Sequence, residues 1–374
     1  MADYQVKLKD HSGAVVALFT GTGRDTGGME SFTFEKWLRV PGLYTLDIDA
    51  TDERIELFDT DCQVEFWRRD VAGGLEWYNV FEAFHRSAEY WLADSGDETF
   101  ASRGQHYNVL LQAEPIRWAA GSDQANKSGP CETVAKEFVD ENVGPGATSP
   151  PRDSAGAMPG LSVEADAGTG ATWSGARANK NLLDTLIELA DYAPADFMVV
   201  GTGAASFEFR WHANQWGQDK TRGNATTRPP VVFSPLLNNV RNVRYFHDRT
   251  SETNVCYVLG QGSGDQRRVV TRTSGAETDS PWARRAVARD ARNTYDEDAL
   301  ADKGDEVLEE NRAKIEMQCT VKQSEAVRFG RDWDLGDLVT VEYRTFSVTQ
   351  KIVGVRVTVG SDGDEVIEAL MEEP

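Results

Sequence analysis

The stretch Asp332-Trp-Asp-Leu-Gly-Asp-Leu-Val-Thr-Val341, near the C-terminus, reads as a tight turn that leads into a strand. Its aspartates favour turns, and Gly336 can take the positive φ angle that a β-branched residue avoids. Leu338–Arg344 then brings β-branched and aromatic residues, which favour a strand. Two more strand-like runs follow, at 347–359 and 365–371. The stretch therefore predicts that a β-barrel domain closes the chain.

A second stretch near the N-terminus has a similar pattern. Phe58–Phe66 and Trp333–Val341 both run aromatic, Asp, four residues, Val, one residue, apolar. A chance match and a duplication of one barrel both account for this likeness. In either case we predict that five residues shape turns and fix strand register without performing chemistry, namely Phe58, Asp59, Trp333, Gly336 and Asp337.

The composition along the chain predicts a β-rich α+β protein with three domains. Residues 1–118 carry short strands between turn residues, which is typical of a β-barrel. Residues 119–230 predict a small α+β domain, in which the Gly-, Ala- and Pro-rich segment 144–178 would be a flexible loop. Residues 231–374 predict a second, similar β-barrel with a helical insertion at about 282–314.

Several elements can be assigned individually. Leu43–Asp49 alternates cleanly and predicts a strand, and His106–Glu114 is also expected to be a strand. Residues 128–143 have a helical period, and Asn181 is a plausible N-cap for a second helix. A hairpin is expected at 196–211, across a glycine-containing turn.

The charge balance excludes several kinds of partner. The 374 residues carry a net charge of −22, with 61 acidic and 39 basic side chains. Nucleic-acid binding depends on Lys and Arg neutralising phosphates, so this chain is a poor DNA or RNA binder. Anionic membrane surfaces would repel it as well. A high-salt host and a GC-rich genome both remain explanations for the acidic composition.

No motif predicts a cofactor, a metal site or a catalytic centre. The four cysteines lie far apart and none of the five histidines is spaced for metal binding, so buried free thiols are expected. Gly21–Gly28 lacks the Gly-Lys-Ser/Thr ending of a phosphate loop. No apolar run approaches the ~18 residues that span a bilayer. The N-terminus enters a strand pattern directly, which predicts assembly in the host cytoplasm.

Two functions remain open from the residues alone. A cell-envelope hydrolase would need converging carboxylates or a metal. A carbohydrate-binding receptor module would need exposed coplanar aromatic rings, and Trp211 and Trp216 are the candidates for such a ledge.

Four stretches give the chain a resemblance to a known family. These are Phe58–Arg69, His106–Arg117, Asn242–Asp265 and Phe329–Val341. In this order, around a central α+β domain, they resemble the tail hub proteins of tailed viruses and the related spike-base proteins of contractile injection systems. The segment 144–178 has no counterpart in that pattern.

The resemblance implies a structural protein of the virion tail tip or baseplate. In that family the hub is a homotrimer in which each chain supplies two barrels, so that three chains form a pseudo-sixfold ring. The implied partners are distal tail or tail-tube proteins and tip, spike or fibre proteins. The tape-measure protein is a further candidate partner. An acidic lumen would repel DNA as the genome passes.

Overall fold

The computed structural model describes residues 2–21, 28–94, 96, 98–119, 121–147, 156–226, 228–322 and 324–374. Within these residues, strands dominate and only three α-helices occur. The predicted β-rich α+β class is therefore confirmed. Most of the predicted Gly21–Gly28 loop, residues 22–27, lies outside the described residues.

The elements are numbered in chain order. The helices are α1 (Cys131–Asn142), α2 (Leu182–Tyr192) and α3 (Glu297–Glu310). The strands are β1 (Asp3–Lys9), β2 (Val15–Thr20), β3 (Met29–Trp37), β4 (Leu43–Asp49), β5 (Gln63–Asp70), β6 (Leu75–Leu92), β7 (Glu98–His106), β8 (Ala125–Pro130), β9 (Leu161–Val163), β10 (Thr172–Arg177), β11 (Ala195–Gly203), β12 (Ser206–Ala213), β13 (Val232–Phe233), β14 (Val240–Asp248), β15 (Val255–Leu259), β16 (Val269–Thr273), β17 (Ala286–Asp290), β18 (Lys314–Val321), β19 (Leu338–Tyr343), β20 (Phe346–Val359) and β21 (Glu365–Glu372).

The chain forms two compact units. The first contains residues 1–243, 318–372 and 374, and the second contains residues 244–317 and 373. The chain passes into the second unit within β14 and returns within β18. Each unit has its own core.

The first unit is built on one long antiparallel sheet. Its strands run in the order β21-β20-β3-β4-β7-β6-β5-β1-β2, with β19 pairing on β20. Strand alternation explains the core: in β4, Tyr44, Leu46 and Ile48 are buried, whereas the residues between them are half-buried. The pairing of Val357 with Phe34 joins strands from opposite ends of the chain, so the sheet depends on both termini.

A buried arginine also ties the two termini together. The Arg68 guanidinium contacts the Glu365 carboxylate through Nε–Oε1 (2.9 Å) and Nη2–Oε2 (3.2 Å) bonds, and the Tyr4 hydroxyl donates to the same carboxylate. Asp70 lies beside it and binds Arg328 at 2.9 Å. Burial would raise the pKa of Asp70, but hydrogen bonds from Arg328 and from the Gly73 N–H hold this pKa below its usual range.

The middle of the first unit has a mixed core. Helices α1 and α2 pack against the β11–β12 hairpin through buried residues such as Phe138, Leu186 and Phe209. The Asn181 side chain accepts a hydrogen bond from the Asp184 N–H, so the predicted N-cap is confirmed. Both helices and the hairpin lie where the hydrophobic pattern predicts them.

The second unit is a small sheet covered by one helix. Its strands run β16-β15-β17, and α3 packs on Cys256 and Val258 of β15. The predicted helical insertion at 282–314 is wrong in extent, because β17 pairs in parallel with β15 and the helix begins only at Glu297. The Asp296 side chain accepts a hydrogen bond from the Ala299 N–H and caps that start.

Two other predictions are wrong. The segment 144–178 contains β9, which pairs with β12, and β10, which pairs with β8, so its glycines and alanines do not make it a loop throughout. His106–Glu114 is not a strand, since β7 ends at His106 and Tyr107–Gln112 is a 3-10 helix. The buried Asn108 side chain accepts a hydrogen bond from the Val199 N–H in place of a strand neighbour. The three-domain boundaries stay a prediction.

Replacing Arg68 with Met should lower the free energy of unfolding by about 3–5 kcal/mol, because the largely buried Glu365 carboxylate would lose its cationic partner. The matched control is Arg69→Met. Arg69 forms a more exposed pair with Asp3, so its loss should cost about 1 kcal/mol or less. Urea unfolding of both variants measures the difference, and equal costs would contradict the structural role of Arg68.

Candidate functional site

The stretch Asp332–Val341 begins with a buried turn, which we name the second strand-entry turn (residues 333–337). Trp333 is completely buried, and its ring meets Phe233 edge-on at 5.5 Å and Phe329 at 5.0 Å between centroids. The strand β19 begins directly after the turn, at Leu338. The ring contacts therefore fix the point at which this strand starts.

Gly336 adopts the left-handed conformation, with φ of +86°. A Cβ atom there would lie 2.6 Å from the Gly217 backbone nitrogen, a distance that real side chains do not allow. The Gly336 N–H donates to the Ile352 carbonyl (2.7 Å), and the Ile352 N–H donates to the Asp337 carbonyl (3.0 Å). Two separate constraints, the positive φ angle and the close approach of another chain segment, thus require glycine.

Asp337 binds the segment 217–220, which follows the β11–β12 hairpin. Its buried carboxylate accepts hydrogen bonds from the Gln218 N–H (2.7 Å), the Lys220 Nζ (2.8 Å) and the Asp334 N–H (2.8 Å). The turn therefore anchors residues 217–220 to the start of β19. The sequence pattern marked Asp337 as a turn former but gave no sign of this long-range role.

Phe58 and Asp59 lie in the first strand-entry turn (residues 58–62). The half-buried Phe58 ring contacts Phe19, His85 and Phe100 at 5.2–5.9 Å between centroids. Asp59 is exposed, and its Oδ1 accepts a hydrogen bond from the Thr60 N–H (2.8 Å). Strand β5 begins at Gln63, five residues after the aromatic ring, as β19 does after Trp333.

The two strand-entry turns share their backbone geometry. Asp61, the counterpart of Gly336, also has a positive φ angle, of 62°. Its N–H donates to the His85 carbonyl (3.0 Å), and the His85 N–H donates to the Cys62 carbonyl (2.9 Å), matching the Gly336 and Ile352 pair. Within the turns, Cys62 N–H bonds to the Asp59 carbonyl as Asp337 N–H does to Asp334.

The strands that follow the turns correspond as well. Each turn leads into a short strand, then a long one, then a third: β5, β6 and β7 in the first case, and β19, β20 and β21 in the second. The pairing of the long strand with the third shifts register directly after His85 and directly after Ile352. A chance similarity between the sequences 58–66 and 333–341 does not explain why both turns share these hydrogen bonds and register shifts.

The turns do not bring catalytic groups together. Across the described part of the chain, no three His, Cys, Asp or Glu side chains form a cluster that could hold a metal ion. All four cysteines are buried and free, and burial raises the pKa of both Cys62 and Cys319 to about 12. Burial also lowers the pKa of His106 to about 3, which keeps the ring neutral.

One buried carboxylate in the middle core, that of Glu132, has a structural role. Burial opposes ionisation of Glu132, but Lys136, the Thr169 hydroxyl and the N–H groups of Ala167 and Thr169 lower its pKa to about 2. Its Oε1–Lys136 Nζ distance is 2.7 Å. Glu132 thus holds residues 167–169 on helix α1, a role that the helical pattern alone did not reveal.

The proposed aromatic ledge is not formed. Trp211 is buried and stacks on Phe197 with centroids 5.8 Å apart, whereas Trp216 is half-buried against His212. The Trp216 N–H donates to the buried Asp196 carboxylate (2.7 Å), which also binds Lys351. These two tryptophans therefore pack the fold and leave no coplanar surface for a sugar ring.

The described residues include no helix with both the length and the apolar character required to cross a membrane.

One family model and several solved structures match this chain. The family model described as "Siphovirus ReqiPepy6 Gp37-like protein" matches residues 19–370. A comparison with curated protein sequences finds no match. Among solved structures, the 43 kDa tail protein of prophage MuSo2 from Shewanella oneidensis matches with a TM-score of 0.63 and 12% identity, covering 100% of this chain and 98% of that chain.

Two further structures extend this likeness. The tail protein from Neisseria meningitidis MC58 matches with a TM-score of 0.59 and 10% identity, covering 100% of this chain and 96% of that one. A chain of the lidded Francisella PdpA-VgrG complex matches with a TM-score of 0.55 and 7% identity, covering 100% of this chain and 53% of that one. At such identities the likeness shows the fold alone.

Replacing Gly336 with Val should destabilise the protein by well over the ~1–2 kcal/mol that a left-handed conformation costs an ordinary residue. The matched control is Gly223→Val, because Gly223 has φ of +85° but open space around a Cβ atom. Urea unfolding should show a clearly larger loss at 336. Equal losses, or an unchanged melting temperature at 336, would contradict the close approach.

Glu132 should make stability depend on pH. Because its folded pKa is lowered to about 2, its contribution is present above the unfolded pKa, ~4.5, and is lost as pH falls towards 2. Glu132→Gln should therefore cost about 3 kcal/mol at pH 7 and progressively less below pH 4.5. Glu137→Gln, on the exposed side of α1, is the control. If the difference in unfolding free energy between the natural chain and Glu132→Gln stayed constant with pH, the stabilising role of the Glu132 charge would be refuted.

Proposed function

The chain belongs to the Siphovirus ReqiPepy6 Gp37-like protein family and has the fold of phage tail proteins, and from this premise we propose that it is a structural hub of the virus tail. In this proposal it forms the ring that joins the tail tube to the tip or baseplate. The genome passes through that ring.

The duplicated strand-entry turn carries this proposal. Each copy is followed by three strands, β5–β7 in one case and β19–β21 in the other, so the chain contains two related structural halves. Three copies of such a chain present six similar elements around one axis, which suits a docking surface of sixfold symmetry. Closed cyclic rings are a common form of protein assembly. This match of two halves to six positions supports a homotrimer.

The charge of the chain fits a channel for DNA. The net charge is −22, and a negatively charged wall repels phosphates, so a genome can pass without binding. The family and the fold support a place in the virion tail, with the tail-tube protein above the ring and tip, spike or fibre proteins below it. The proposed role is mechanical and involves no catalysis.

An exposed arm of the first unit offers a surface for contacts between subunits. Strand β5 pairs with β6 only as far as Phe84, and all residues of β6 from Arg86 to Leu92 are exposed. Three large side chains lie at its end, Tyr90, Trp91 and Leu92, with Trp91 63% exposed. An exposed strand edge with large apolar residues is usually covered by a partner. We propose that a neighbouring copy covers this arm.

The subunit count tests the proposed function. Native mass spectrometry of the purified chain should find three copies, and negative-stain images should show a ring with six similar lobes. A monomer or a dimer that persists at micromolar concentrations, or a ring with six copies, would overturn the trimer.

Replacing Trp91 with Ser should weaken the trimer roughly 30-fold, since a buried interface tryptophan typically contributes about 2 kcal/mol. The control is Tyr192→Ser, which removes another aromatic ring that is 57% exposed but lies on helix α2. Analytical ultracentrifugation over a concentration series gives both dissociation constants. Equal trimer stability in the two variants would show that the arm is not an interface.

A further inference from the structure

Strand β17 of the second unit has an unpaired edge. All five of its residues are exposed, and within the described parts of the chain it pairs only with β15. The Val255 N–H donates to the Arg285 carbonyl (3.0 Å) and the Ala291 N–H donates to the Leu259 carbonyl (2.8 Å). Since neighbouring residues in a strand point their backbone groups to opposite sides, those of Ala286 and Ala288 point away from β15. No described residue pairs with them.

Three arginines lie on the strand and just before it. Arg284, Arg285 and Arg289 form no salt bridge with any residue that the structure describes. Arg284 instead donates to the Tyr257 hydroxyl, and Arg285 donates to backbone carbonyls of residues 249 and 250. These three cations lie within six residues of one another, in a chain whose net charge is −22.

Apolar surface accompanies these cations. Trp282, just before the strand, is 87% exposed, and Val287 in the middle of the strand is 39% exposed. Val287 and Arg289 lie on the same face as Cys256 and Val258, their register partners, which is the face that carries α3. The edge therefore offers backbone hydrogen bonds, an apolar contact and a cation side by side.

We propose that the β17 edge binds an extended, acidic segment of another tail protein, which adds a fourth strand to this sheet. Strand addition satisfies the free backbone groups of Ala286 and Ala288. The arginines select carboxylates, and alternating apolar side chains of the segment pack on Val287. This site goes beyond the proposed hub role, because it assigns a partner to the inserted unit.

The opposite edge of the same sheet lacks these features. Strand β16 also has no partner on its outer side among the described residues, but the arginines in it and just before it form ion pairs. Arg267 binds Asp290 (2.6 Å), Arg268 binds Glu297 (2.5 Å) and Arg272 binds Asp305 (2.7 Å). The β16 edge therefore serves as an internal comparison for the experiment.

A displayed library of random 12-residue peptides, selected on the whole purified chain, tests the site. We expect enrichment of peptides rich in Asp, Glu and β-branched residues. Ala288→Pro removes an outward N–H that the sheet itself does not use, a substitution that edge strands tolerate. It should weaken binding of an enriched peptide at least about tenfold, and Arg289→Glu should do the same.

Thr271→Pro is the matched control on β16. The Ser274 N–H donates to the Asn254 carbonyl and the Gly260 N–H donates to the Arg268 carbonyl, so the backbone of Thr271 points outward. This variant should bind the peptides as the natural chain does. Hydrogen exchange adds a direct readout, because a bound peptide should protect the amides of Ala286 and Ala288.

Peptides without acidic character, equal loss in Thr271→Pro and Ala288→Pro, or no enrichment would overturn the proposal. Binding to a second copy of the chain would also overturn it, and would appear as association that depends on Ala288 without any peptide. If Ala288→Pro unfolds, Arg289→Glu and the exchange data still decide. The subunit count of the chain is measured separately, so failure here is distinguishable from failure of the hub proposal.

Discussion

The first unit depends on a left-handed residue that is docked by backbone hydrogen bonds onto a long strand. Asp61 docks on His85 in one copy of this arrangement, and Gly336 docks on Ile352 in the other. Each docking fixes where a short strand begins and where the long strand shifts its register. In the second copy the close approach of Gly217 leaves room only for glycine. These two points set the starts of β5 and β19 within the sheet.

Local chemistry made part of this structure predictable. The alternation in Leu43–Asp49, the N-cap at Asn181 and the turn at Gly336 each depend on neighbours within a few residues, and each is found. The match of Phe58–Phe66 with Trp333–Val341 pointed to the equivalent turns, although letters alone did not separate duplication from chance. The hydrogen bonds and register shifts that the two turns share distinguish duplication from a chance match.

Other features depend on distant partners that no local pattern reveals. Arg68 meets Glu365 almost 300 residues later, and Asp337 binds Lys220. The strand β17 lies within a stretch with helical composition, yet pairing with β15 determines its conformation. These partnerships also give two buried carboxylates a structural role. Asp337 and Glu132, both buried, are bound by cations and backbone N–H groups that hold neighbouring segments together.

We propose that one chain supplies two equivalent halves to a ring on the tail axis. Cryo-electron microscopy of tails that contain this protein, reconstructed without imposed symmetry, tests it most directly. We predict three copies around the axis, with the two strand-entry turns of each copy at alternate positions about 60° apart, facing a sixfold neighbour. Six copies, or a position away from the axis, would contradict the account.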